Sequence, residues 1–157
     1  MNIIFREADL ANSRDSKALV VLLNEFMHGK NTTNVKIIDC GIIQKLTKLG
    51  TSKVYLCEYS EDIIGIAVCF IGFSTFKQKE LLNIHDLFIK EEFQGKGIGT
   101  KFLKYIEKEC LKNDFCRITL KAYDDNLNAI KLYEKSGFIG SKNSQHNLIY
   151  AMKKDLE

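Results

Sequence analysis

Apolar residues recur along the chain at two periods, and the switches between them mark its elements. Leu19, Leu22, Leu23 and Phe26 fall at helical spacing, as do Ile38, Ile42, Leu46 and Leu49. Two amphipathic helices are therefore predicted after a short opening strand at Ile3–Arg6. Gly29 and Gly50 are placed to end them. The polar stretch Lys30–Asn34 lies between and is expected to be a mobile loop.

Val54–Tyr59 and Ile63–Phe73 are rich in β-branched and aromatic residues, and only Ser60, Glu61 and Asp62 separate them, which predicts a hairpin. Gly65, inside the second run, is expected to mark a bulge. Leu81–Ile89 reads as the next strand, followed by a glycine-rich turn and a helix with the inner stripe Ile98, Phe102, Leu103, Ile106 and Cys110. Arg117–Ala122 is a further strand. Asp124–Asn126 can cap a helix carrying Leu127, Ile130 and Tyr133 on one side, with Gly137 as its stop, and Asn147–Met152 reads as a closing strand. The order is strand, two helices, three strands, helix, strand, helix, two strands, without repeat, low-complexity tract or linker.

With 157 residues, 45% of them apolar, the chain is expected to form one domain (1–157) with a core that needs no metal or disulfide staple. Cys40, Cys57, Cys69, Cys110 and Cys116 are odd in number, contain no C-x-x-C pair and mostly sit in apolar runs, so they read as reduced core thiols. No signal-peptide pattern or membrane-length apolar stretch occurs, so a cytoplasmic protein without a membrane partner is expected. A net charge of +3, spread evenly, gives no reason to expect a nucleic-acid partner.

The candidate chemistry starts at Ile84–Gly99 (IHDLFIKEEFQGKGIG), where an apolar strand runs into glycines that open a helix. Gly95, Gly97 and Gly99 let backbone approach a ligand closely, and the first amides and dipole of the helix attract negative charge. This is a place to hold phosphates. A nucleotide-hydrolysing loop needs G-x-x-x-x-G-K-[ST], and a dinucleotide fold needs G-x-G-x-x-G. The chain has neither; its spacing is G-x-G-x-G.

Gln94, Gly97 and Gly99 match the [Q/R]-x-x-G-x-[G/A] pyrophosphate loop of the GNAT N-acetyltransferase superfamily, and Asn126–Phe138 (NLNAIKLYEKSGF) resembles its N-x-x-A-x-x-x-Y-x-x-x-G-F block. Gly72–Asp86 (GFSTFKQKELLNIHD) is similar to a bacterial subgroup of the same superfamily. The resemblance covers essentially the whole chain. Glu91 stands where members often have proline, and Gln94 where arginine is commoner. A GNAT fold is implied: a mixed α/β domain with a mostly antiparallel sheet of about seven strands, splayed between the fourth and fifth, and four flanking helices.

The resemblance also implies acetyl-CoA as cosubstrate, no metal, and direct transfer of acetyl to an amine. Backbone groups of Leu87, Phe88 and Ile89 would bond the pantetheine arm and acetyl carbonyl. The segment Gln94, Gly95, Lys96, Gly97, Ile98, Gly99 and Thr100 would hold the pyrophosphate, with Asn126 and Ala129 nearby. Lys96 and Lys101 either add charge there or are solvated surface. Tyr133 aligns with the general acid, a phenol able to protonate a thiolate leaving group, or it bonds the cofactor without giving up a proton.

His85 aligns with a base used by diamine acetyltransferases; the alternative is a structural histidine partnered by Asp86, which itself could face the acceptor. Tyr123, Phe73 and Phe76 line the acceptor site or belong to the core. The expected acceptor is a small-molecule amine such as a polyamine, amino acid or aminoglycoside. A protein or peptide amine and a non-catalytic acetyl-CoA sensor are the alternatives. Dimers are common in the superfamily, and edge pairing of the β-rich C-terminus would give a homodimer.

Overall fold

The computed structural model describes residues 2–29, 37–141 and 149–156. Its elements are β1 (Ile3–Glu7), α1 (Ser13–His28), α2 (Gly41–Leu49), β2 (Ser52–Tyr59), β3 (Asp62–Ser74), β4 (Lys79–Ile89), α3 (Ile98–Lys112), β5 (Arg117–Tyr123), α4 (Leu127–Lys135), β6 (Ile139–Ser141) and β7 (Ile149–Asp155). A 3₁₀ turn, Glu91–Phe93, leads towards α3. The strands hydrogen-bond in the order β1-β2-β3-β4-β5-β7-β6. The β1–β2, β5–β7 and β6–β7 pairs are antiparallel and the β4–β5 pair is parallel, so the mixed, mostly antiparallel sheet with four helices is as expected. The chain divides into two compact units, Met1–Val68 with Asp86–Phe93 and Cys69–His85 with Gln94–Glu157.

In the first unit, α1 is started by Asn12, whose side chain accepts from the amides of Arg14 and Asp15, and it buries Leu19, Leu22 and Leu23. α2 begins at Gly41, three residues later than the apolar period suggests. The Asn24 side chain donates to the Ile38 carbonyl and accepts from its amide, both at 2.9 Å, which holds Ile38 out of the helix. Asp39 then accepts from the Gly41 amide at 2.7 Å and turns the chain. Lys30–Asn34 lies outside the described residues.

The hairpin between β2 and β3 turns on Ser60 and Glu61 at φ +48° and +71°, the left-handed pair that a two-residue turn needs. Gly65 is explained by close approach of β4: a Cβ there would lie 2.3 Å from Ile89 Cδ1 and 2.8 Å from the Phe88 carbonyl oxygen.

In the second unit, the predicted α3 stripe is buried throughout. The α4 stripe is not. Leu127 is 61% exposed while Tyr133 is buried, because at about 100° per residue two three-residue steps separate these side chains by about 120°. The closing strand runs to Asp155, beyond the expected Met152; positions 147 and 148 lie outside the described residues. Its polar end is held by ion pairs from Arg117 to Asp155 and from Lys154 to Glu107. Four cysteines are buried as expected, but Cys40 is exposed at the start of α2, where it forms no part of a core.

Candidate active site

The glycine turn enters α3 through two left-handed residues, Gly95 at φ +71° and Gly97 at φ +74°. Among the described residues nothing lies within 4 Å of a Cβ built on either, so both are glycine for their backbone conformation, and no described side chain fills the space beside them. Gly97 caps α3 without a side-chain hydrogen bond, whereas Asn12 and Asn126 supply one to α1 and α4. The ladder begins with Lys101 N–H donating to the Gly97 carbonyl at 3.2 Å, so the amides of Ile98, Gly99 and Thr100 precede it. No acidic residue occupies the first turn. Gln94, Lys96 and Lys101 are exposed around this end. These residues fit a pyrophosphate, and the positive end of the helix dipole favours one.

Gly99 has a different role from the other two. It lies inside α3, and a Cβ there would meet Leu132 Cδ2 of α4 at 3.1 Å, so its bare Cα sets the approach of the two helices. Asn126 caps α4 by accepting from the Ala129 amide at 3.2 Å. That N–H is therefore already satisfied within the chain, while the Asn126 side-chain Nδ2 takes no part in the cap.

Tyr133 is buried near the end of α4, and local geometry fixes it there. Gly137, at φ +87°, ends the helix, with the Phe138 amide donating to the Tyr133 carbonyl and the Gly137 amide to the Glu134 carbonyl, each at 3.0 Å. This pair of bonds is a Schellman motif, in which the residue after the glycine packs back on the last turn. Accordingly the Phe138 and Tyr133 rings lie 6.0 Å apart. Burial pushes the Tyr133 phenol up to about 12, so it remains protonated and a donor through neutral pH.

Along β4 the buried positions change phase. Leu82 and Ile84 are buried, His85 is exposed, Asp86, Leu87 and Phe88 are half-buried, and Ile89 is buried, where strict alternation would bury Asp86 and Phe88. The parallel register with β5 runs from Leu82↔Ile118 to Ile84↔Leu120, and both strands continue beyond it. His85 meets the Phe70 ring edge-on at 5.6 Å, and Phe88 packs against Phe26. Phe73, Phe76 and Tyr123 are all exposed, Phe76 completely, which removes the core reading for these three aromatics. Among the described residues, no group of three or more His, Cys, Asp or Glu side chains is placed to hold a metal ion, and no helix is long and apolar enough to cross a membrane.

Asp15 is inconspicuous in the sequence but prominent in the fold. It is 2% exposed and takes two hydrogen bonds from Arg6, which also bonds Glu58. Its only sequence signal is an acid three residues after the Asn12 cap.

Residues 22–138 match the model of the acetyltransferase (GNAT) family. The spermine/spermidine N(1)-acetyltransferase of Bacillus subtilis is 32% identical over 83 residues, 51% of this chain and 55% of that protein. The thialysine N-epsilon-acetyltransferase of Bos taurus is 28% identical over 75 residues, 48% of this chain and 44% of that protein. The chain thus spans about half the length of the curated relatives it matches. The structure of yncA from Salmonella typhimurium, solved with its cofactor acetyl-CoA, superposes with a TM-score of 0.76 at 18% identity, over 99% of this chain and 94% of that one. The matched residues contain both the glycine turn and the Asn126–Phe138 block, and the chain belongs to the acetyltransferase (GNAT) family.

Proposed function

We propose that the chain is an acetyl-CoA-dependent N-acetyltransferase that moves acetyl directly to a primary amine of a small molecule, such as a polyamine, amino acid or aminoglycoside, in a ternary complex. The observation that carries this reading is the acid-free start of α3, which has no side-chain cap and lies behind two left-handed glycines, joined in one chain to a Tyr133 buried beside Phe138. Support for an amine acceptor comes from relatives named for spermine, spermidine and thialysine. Bound acetyl-CoA supplies a thioester, whose acyl carbon takes the amine and whose sulfur leaves.

The amides of Ile98, Gly99 and Thr100, with Gln94, Gly95, Lys96 and Gly97, hold the pyrophosphate by charge-dipole attraction and hydrogen bonds. Leu87, Phe88 and Ile89 hold the pantetheine arm and acetyl carbonyl through their backbone, and the Asn126 amide adds a donor. Tyr133 donates its phenolic proton to the departing sulfur as the carbon–sulfur bond breaks. The proton lost by the amine leaves through His85 or Asp86 to solvent, so charge balances over the turnover. A phenol at about 12 is a weak acid, so its proton moves only as negative charge develops on sulfur, and the phenolate takes one back from solvent in place of the proton the amine released.

The test compares wild type with Tyr133→Phe, reading thiol release in the presence of amines and acetyl-CoA affinity by calorimetry. General acid loss should lower kcat by about 100-fold or more with affinity retained. Equal turnover by the two proteins refutes the role of Tyr133, and no turnover with any amine refutes the transferase reading.

A further inference from the structure

The end of α4 is held by more than its own backbone. Lys154 of β7 donates from Nζ to the Ser136 carbonyl at 3.0 Å, and the same ammonium pairs with Glu107 of α3 at 2.6 Å. Its stem crosses the bare Cα of Gly137, where a built Cβ would lie 3.4 Å from Cε and Nζ. β7 itself is fixed by its register on β5, Lys154 facing Ile118. One cation therefore caps the negative end of α4, sits over the glycine of the Schellman motif and ties that turn to the helix that begins at the glycine loop. Both side chains are about three-quarters covered, at 23% and 27% exposure, so the pair is partly shielded from solvent.

Ser136, Gly137 and Phe138 form the turn that sets the Tyr133 ring, through the Phe138 N–H to Tyr133 carbonyl bond and the ring contact. We propose that Lys154, anchored by Glu107, is a positioning residue for Tyr133: it fixes the turn that holds the phenol and acts on turnover only through it. This rests on the reading of Tyr133 as the acid. Without the ammonium, the Ser136 carbonyl loses its donor, the Glu107 carboxylate loses its partner, and the turn under Phe138 is no longer held from β7.

The experiment is a double-mutant cycle on the full chain, read as kcat for thiol release and as acetyl-CoA affinity. Lys154→Met is expected to lower kcat by about 10-fold, in line with the sensitivity of catalysis to small misplacements, with acetyl-CoA affinity unchanged and activity largely rescued by Lys154→Arg. In the Tyr133→Phe background the same substitution should cost less than about 2-fold, because the group it positions is already gone. An equal loss in both backgrounds, or no loss in either, overturns the inference. If Lys154→Met fails to fold, Glu107→Gln is put through the same cycle, since it leaves the lysine and removes its anchor. Should Tyr133→Phe match the wild type, the acid reading falls and positioning falls with it. A large loss in Tyr133→Phe beside an unimpaired Lys154→Met defeats positioning alone.

Discussion

Gly65→Ala tests how tightly β4 is seated on β3. Gly65 is buried with an ordinary strand backbone, so alanine meets no conformational barrier there. Its Cβ, however, would lie 2.3 Å from Ile89 Cδ1, 2.8 Å from the Phe88 carbonyl oxygen and 3.3 Å from Cys57 Cβ. The Ile89 methyl can swing aside; the Phe88 carbonyl belongs to the backbone and cannot move without the strand. Overpacking costs about 1–3 kcal/mol, while a stiffer unfolded chain offsets about 0.4–1 kcal/mol of it, leaving a net loss of about 1–2 kcal/mol. Equilibrium urea unfolding of four proteins measures it: wild type, Gly65→Ala, Ile89→Val and the double variant. Ile89→Val deletes the offending Cδ1 and alone costs about 0.5–1.5 kcal/mol, so Gly65→Ala should be cheaper in that background by about 0.5–1 kcal/mol. The Phe88 contact keeps the remainder. Because Phe88 and Ile89 are proposed to bind acetyl-CoA, affinity should fall in Gly65→Ala as well. A variant as stable as the wild type, or an identical cost in both backgrounds, would refute the packing argument.

Asp15 gives a pH dependence. Its hydrogen bonds from Arg6 hold the folded carboxyl below the ordinary value, so the pair stabilises the fold in full above about pH 4 and loses that contribution as pH falls through the lower folded value. Because Arg6 is one-third exposed and keeps Glu58 as a partner, Asp15→Asn should cost about 1–2 kcal/mol at neutral pH and flatten the acid limb of a stability–pH curve from chemical denaturation. Gly97→Ala places a Cβ on a residue at φ +74° with no clash, so its cost is conformational, about 1–2 kcal/mol, with weaker acetyl-CoA binding by calorimetry; Gly97→Asn should be milder. Burial pushes the Cys57 and Cys110 thiols up to about 12, while Cys40 is exposed. Mass spectrometry after brief maleimide treatment at neutral pH should therefore find Cys40 labelled in the native protein, and all five cysteines labelled in urea.

Local patterns carried the parts of the fold that local interactions decide. The α3 stripe was legible because Ile98, Phe102, Leu103, Ile106 and Cys110 share one face, and all are buried. Gly97 was legible as a helix opener because its left-handed conformation is a property of the residue itself. Features made by distant partners were not. The late start of α2 depends on Asn24 gripping Ile38 from another helix, and the length of β7 depends on Arg117 and Glu107 receiving its charged end. Gly65 and Gly99 carry the same residue type as Gly97, but their reasons are contacts with Phe88, Ile89 and Leu132 that only the folded chain assembles. For the candidate site, motif resemblance pointed to Asn126 and Tyr133, which the fold makes the cap of α4 and a buried phenol near its end. The device that fixes the Tyr133 ring, Gly137 followed by Phe138, was visible only as a helix stop, since a glycine does not announce which ring will pack back across it.

The most direct test of the proposed chemistry is release of free CoA thiol from acetyl-CoA across spermidine, amino acids, aminoglycosides and short peptides as acceptors. Release that requires a small-molecule amine is the expected result. No release with any of these acceptors, together with no binding of acetyl-CoA in a calorimetric titration, would contradict both amine acetylation and the phosphate-holding role given to the start of α3.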